Sequence, residues 1–112
     1  MEDKEYRQQV AVIFEHLAAS FDMVDPDLAE AELSQGALTI ATGKSKIILS
    51  PQPPVQQIWF AAASLGVAVH FNYSADSDKW TDDKGRGLEL FSYLEEVLEK
   101  TAGLRLNLSL AP

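Results

Sequence analysis

An α+β sandwich is the architecture this sequence predicts: one antiparallel sheet of about six short strands, with the N- and C-terminal helices packed on one of its faces. Three observations predict it. Helical periodicity occurs near the two ends only, over residues 4–22 and 88–101. The stretch between them consists of short alternating runs separated by tight-turn residues. At its centre, residues 45–59 read SKIILSPQPPVQQIW, where Pro51, Pro53 and Pro54 remove amide donors and push each preceding residue out of the helical region. Strand, rigid turn, strand is what remains there. A chain of 112 residues supports one domain of this kind, spanning 1–112.

Each element has its own warrant. Over residues 4–22, Tyr6, Val10, Ile13, Phe14, Leu17 and Phe21 share one helical face, while Glu5, Gln8, Glu15 and Asp22 share the other. Asp25-Pro26-Asp27 ends that helix. Residues 29–33 alternate, with Glu30 and Glu32 on one side, and Gln35-Gly36 turns the chain into residues 37–41. Thr42-Gly43-Lys44 leads into a strand at 45–50, followed by strands at 55–61, 67–72 and 78–81. Leu88, Leu90, Phe91, Leu94, Val97 and Leu98 give the second helix its apolar side, and Gly103 stops it. In the tail, 104–112, Leu104, Leu106, Leu108 and Leu110 alternate; the expectation is that all four lie buried against the body.

Two helices cover one face of such a sheet and leave the other to solvent. Strand alternation sends Ile58 and Phe60 toward the helices and Gln57, Trp59 and Ala61 toward water. A large aromatic on an uncovered sheet is a candidate anchor for a protein partner.

Composition narrows the chemistry. The chain has no cysteine, which excludes disulfides, thiolate catalysis and Cys-ligated metal centres within it. Its net charge of -8 is unevenly placed: residues 1–32 hold nine acids against Lys4 and Arg7. That field repels nucleic acid and anionic membranes, and attracts cations or a basic partner; it also serves solubility. No apolar run is long enough for a membrane helix, and the opening Met-Glu-Asp-Lys-Glu reads as a cytoplasmic start. A processed mitochondrial matrix chain is the alternative.

Other motifs fail. Gly43-Lys44-Ser45 resembles the end of a phosphate loop, but Leu38 occupies the required glycine position. His16 and His70 lack paired metal-ligand spacing; His16 could join Glu15 around a metal, and His70 reads as a structural strand histidine. Asp82-Asp83 before Gly85 reads as a turn. No nucleophile–base pair emerges from the spacing.

Several segments together resemble the frataxin family, its bacterial branch in particular. They are Gly36-Ala37-Leu38-Thr39-Ile40, Ser45-Lys46-Ile47-Ile48, Pro54-x-x-Gln57-Ile58-Trp59, His70-Phe71, Trp80 with Asp82 two residues on, and Leu90-Phe91. The resemblance implies a sheet with both terminal helices on one face. It also implies a monomeric iron-binding protein of iron–sulfur cluster assembly, with iron-dependent oligomers as an alternative state. Such a protein binds Fe²⁺ and Fe³⁺ weakly on an acidic ridge and contacts the cysteine desulfurase and its scaffold protein. Carried over, the ridge falls at Asp3, Glu5, Asp22, Glu30 and Glu32 with Asp25 close by, and the partner surface at Gln52, Gln57 and Trp59; Glu15 is an acid of this chain's own.

The sequence also departs from the family pattern. Ala11, Ala18 and Ala19 stand where acids are frequent, Ser50 replaces a usual Asn, and residues 64–69 lengthen a familiar turn. Carboxylates on an exposed helix face do not converge on one point, so weak, salt-sensitive iron sites with largely aqueous coordination are expected. The same residues fit two further readings. One is an acidic docking adaptor for which metal is incidental; the other is an iron oxidase, disfavoured because it needs a defined site.

Overall fold

The computed structural model describes residues 1–110. Helix α1 (Asp3–Ala19) is followed by strands β1 (Ala29–Ser34), β2 (Ala37–Thr42), β3 (Lys46–Gln52), β4 (Gln57–Ala62), β5 (Val67–Ser74) and β6 (Lys79–Asp82), then helix α2 (Leu90–Ala102). The six strands form one antiparallel meander in sequence order. This is the predicted α+β sandwich.

Alternation builds the core. Leu38, Ile40, Ile47, Leu49, Ile58, Phe60, Val69, Phe71 and Trp80 are buried from the sheet. They meet Tyr6, Val10, Ile13, Phe14 and Leu17 of α1 and Leu90, Leu94, Val97 and Leu98 of α2. The intervening strand residues, among them Glu30, Glu32, Ile48, Trp59, Ala61, Ala68 and Asn72, are exposed on the other face. At the β1–β2 hairpin both turn residues adopt positive φ, Gln35 at 53° and Gly36 at 81°. That conformation matches the right-handed twist of the flanking strands, and Gly at its second position removes half the steric cost.

The boundaries differ from expectation in instructive ways. The first helix ends at Ala19, not at residue 22. Ser20 explains this: its hydroxyl donates to the His16 carbonyl, and the following amides bond three residues back, Phe21 to Ala18 and Asp22 to Ala19. Asp22 therefore sits in a turn. The third strand continues through Pro51 to Gln52. Proline is tolerated because the pairing with β2 ends at Leu49, and Pro51 pairs with Ile58 of β4 alone. The turn that follows is a single 3₁₀ turn, Pro53–Val55, closed by Gln56 in the left-handed region, so β4 begins at Gln57 and not at 55. The second helix begins at Leu90 because Glu89 caps it, its carboxylate accepting the amides of Phe91 (2.8 Å) and Ser92 (3.1 Å).

The tail is pinned at one residue. Leu108 is buried, its N–H donates to Glu95 (2.8 Å), and its carbonyl lies 2.7 Å from His16 Nε2. Leu104 and Leu106 are half-buried and Leu110 is 44% exposed, so the four leucines are not all sealed. Among the described residues the tail forms no strand ladder, and alternation without a ladder does not hold one face inward. Residues 111 and 112 of the predicted tail lie outside the described residues.

Candidate partner surface and acidic edge

The uncovered face of the sheet carries an ordered polar and aromatic group. Register places Trp59 of β4 directly opposite His70 of β5, and Gln57 opposite Asn72. An extra bond, Asp83 N–H to the His70 carbonyl (2.9 Å), brings Asp83 beside them. Trp59 and His70 stack with ring centroids 4.2 Å apart and planes inclined by 10°. The indole N–H donates to Gln57 Oε1 (2.8 Å); the same amide's Nε2 donates to Asn72 Oδ1 (2.9 Å) and Asp83 Oδ2 (3.2 Å). His70 Nδ1 lies 3.5 Å from that Asp83 oxygen. Trp59 is thus oriented by hydrogen bonding and stacking while 36% exposed.

A buried tyrosine fixes the base of this group. Tyr6 of α1 donates its hydroxyl to the Gln57 carbonyl (2.6 Å) and accepts the Gln52 N–H (2.9 Å). Gln52 and Gln57 face each other in the ladder, so the hydroxyl ties the end of the β3–β4 hairpin to the core helix. Beside Trp59, register sets Ser50 on β3, a small neighbour that leaves room over the indole. Ile48, 41% exposed, lies opposite Ala61, which lies opposite Ala68. The result is an exposed strip of small and apolar side chains beside an oriented aromatic.

The acids form a dispersed edge. Asp3, Glu5, Glu15, Asp22, Asp25, Glu30 and Glu32 are all exposed. Asp3 is paired with Arg7 at 2.9 Å. Glu15 borders a groove that Leu33 of β1 also lines, and Asp25 accepts the Asp27 amide (2.9 Å) in the connector leading to β1. Glu30 and Glu32 project two residues apart on the open face of β1. Glu5 stands near enough to Tyr73 of β5 for its charge to act on that phenol. That phenol titrates above its ordinary value because it donates to Asp78, with the Glu5 charge adding to the effect. Among the described residues no three His, Asp or Glu side chains gather to hold a metal ion. His16, read as a companion of Glu15 around a metal, is engaged with the tail through Nε2.

With this geometry in view, comparison with known proteins decides the family. The family described as Frataxin-like domain matches residues 1–104. The chain belongs to the frataxin-like family. Among curated relatives of this frataxin-like chain, the iron-sulfur cluster assembly protein CyaY of Tolumonas auensis is 32% identical over 109 residues, covering 96% of this chain and 99% of that protein. CyaY of Vibrio parahaemolyticus is 34% identical over 92% of this chain and 94% of its own length, and CyaY of Pseudomonas putida 39% identical over 78% and 76%. The solved structure of frataxin from Psychromonas ingrahamii superposes with a TM-score of 0.83 at 22% identity, covering 97% of this chain and 99% of that one. That likeness is one of fold.

Sequence reasoning missed three members of the open-face group, His70, Asn72 and Asp83. The alternation Val67, Val69, Phe71 inward sends His70 and Asn72 outward, a signal present in the sequence. Their partners required the β4–β5 register. Asp82-Asp83 do lead into a turn, at 83–84, and Asp82, the last residue of β6, organises that loop from a buried position by accepting the amides of Lys84 (3.2 Å), Arg86 (2.9 Å) and Leu88 (2.9 Å). The Arg86 amide, joined by those of Leu88 and Lys84, holds its carboxyl below the ordinary range against the opposing effect of burial. No helix among the described residues is long and apolar enough to cross a membrane.

Proposed function

We propose that this chain is a non-enzymatic iron-binding protein of iron–sulfur cluster assembly in the bacterial cytoplasm. In this reading it acts by docking its open sheet face, through Trp59, Gln57 and Gln52, on a cysteine desulfurase–scaffold complex. The observation that carries the reading is the oriented, part-exposed Trp59, held upright by Gln57 and His70 beside an exposed strip of Ile48, Ala61 and Ala68. An aromatic already fixed in place loses less side-chain freedom on association, a recognised source of affinity. Iron is the cargo. Exposed, dispersed carboxylates at Glu15, Asp22, Asp25, Glu30 and Glu32 suit hard cations held largely by water, and therefore transient transfer better than storage.

The test is binding to the desulfurase–scaffold complex by the full chain and by Trp59→Ala. The substitution is expected to weaken binding by about thirtyfold, the effect of a central aromatic anchor, while the thermal midpoint stays within about 3 °C. Equal binding by both proteins would refute the reading.

The absence of converging carboxylates among the described residues also favours a second reading: an adaptor whose acidic side docks a basic surface, with metal incidental. Under it, Glu30→Gln with Glu32→Gln weakens partner binding equally with and without Fe²⁺. A loss confined to the iron-loaded state would contradict it.

A further inference from the structure

We infer that His70 is the positioning residue of the open face: its ring holds the Trp59 indole upright, and its protonation, opposite Asp83, tightens that hold. The inference rests on the open face being the docking surface and adds to it a control by pH.

The geometry is specific. A stacking distance of 4.2 Å with a 10° inclination puts the imidazole flat against one side of the indole. Ser50 on the other side is too short to support it, so His70 is the ring's packing partner on this face. The remaining constraint is the indole N–H bond to Gln57, and Gln57 is itself bonded to Asp83. Asp83 therefore serves both arms of the clamp, standing 3.2 Å from the Gln57 amide and 3.5 Å from His70 Nδ1.

Histidine is the side chain whose ordinary titration falls between pH 5 and 8. On protonation, the stacked ring becomes a cation over the electron-rich face of an indole and gains an ion pair with Asp83. Both changes act on the same pose. The groups facing His70 from β4, Trp59 and Gln57, are uncharged, as are Ala68 and Asn72 on its own strand. From the segment after β6 it faces Asp83. Lys84 follows in that loop, and Arg86 is turned to Asp82, 3.5 Å away. The immediate charged neighbour is thus the Asp83 carboxylate, 3.5 Å from Nδ1.

The experiment reads the indole directly. In ¹⁵N–¹H spectra of the full chain between pH 5 and 8, the Trp59 indole N–H resonance is expected to move through one midpoint shared with the His70 ring resonances. The Trp80 indole, buried elsewhere, serves as the internal control. His70→Gln is expected to abolish the Trp59 titration. His70→Arg, which keeps a planar cation beside the indole at every pH, is expected to give a Trp59 resonance that does not move with pH. In binding to the desulfurase–scaffold complex, His70→Gln should be about three- to tenfold weaker, the cost of ordering one side chain, and His70→Arg should keep one affinity across this pH range. A Trp59 resonance that does not titrate, or that titrates unchanged in His70→Gln, overturns the inference. Failure of every protein to bind the complex would sink the docking reading instead, and the indole result would still decide the role of His70.

Discussion

Tyr6→Phe tests the link between the helical layer and the partner face with the smallest available change. The substitution keeps the ring that packs near Trp80 and removes one oxygen. That oxygen satisfies two backbone groups, donating to the Gln57 carbonyl at 2.6 Å and accepting the Gln52 amide at 2.9 Å. Tyr6 is 1% exposed, so water does not replace it without rearrangement. Each buried backbone group left without a partner costs about 1–3 kcal/mol. Partial closure of the hairpin end onto itself recovers some of this, so the net loss is about 2–3 kcal/mol. For a chain of this size that lowers the thermal midpoint by about 8–12 °C. Differential scanning calorimetry at pH 7 measures it, and amide exchange at Gln52 and Gln57 should accelerate in parallel. A midpoint within about 3 °C of the wild type, with unchanged exchange at those amides, would show that the hydroxyl bridge does not hold the hairpin. The bridge also has a pH signature. Burial raises the Tyr6 phenol above its ordinary value, with the Gln52 amide opposing. The stability this group contributes is therefore complete below the unfolded-state value near pH 10 and is lost as pH rises through the higher folded-state value. Tyr6→Phe should flatten that alkaline decline, to which Tyr93, also raised by burial, contributes separately.

Two further outcomes follow from the same structure. The depressed titration of Asp82 means that its contribution is present above the unfolded carboxylate value near 4 and is lost as pH falls through the folded-state value; Asp82→Asn should lower stability at pH 7 and flatten the acid limb of a stability–pH curve. An acid limb identical in both proteins would contradict the loop-organising role. Leu108→Ala should cost about 2–3 kcal/mol, the low end for a buried leucine because the tail can readjust, and a urea titration should show a lower midpoint at an unchanged slope.

Much of this fold is legible in the sequence because period and punctuation agree. The inward set Leu38, Ile40, Ile47, Leu49, Ile58 and Phe60 follows from period-two alternation alone, and so does the outward turn of Trp59. Less legible were places where a side chain competes with the backbone. Ser20 ends α1 early by bonding to the His16 carbonyl, and Glu89, an uncommon capping type, starts α2 late. Asp82 shows the same limit. Trp80 inward implies Asp82 inward, yet an acid before a glycine loop also fits an ordinary turn, and the three amides it gathers come from residues that only the folded loop brings together. The open-face group was half legible. Gln57 and Trp59 lie on one strand, whereas His70 and Asn72 join them through a register set by the loop after β4, a 3₁₀ turn ending at Gly66 with φ 66°, and Asp83 joins through its own amide bond to the His70 carbonyl. The acidic edge was legible as composition and not as geometry, since exposed carboxylates carry no packing constraint and the nearness of the Glu5 charge to Tyr73 depends on where α1 lies.

The most direct test of the account is a titration of the full chain with Fe²⁺, or with Co²⁺ as a paramagnetic surrogate, followed in ¹⁵N–¹H spectra. Resonances around Glu15, Asp22, Asp25, Glu30 and Glu32 are expected to be perturbed first, over a weak binding curve that shifts to higher metal concentration as salt is added. A tight, salt-insensitive response, or first changes elsewhere while those signals stay in place, would contradict it.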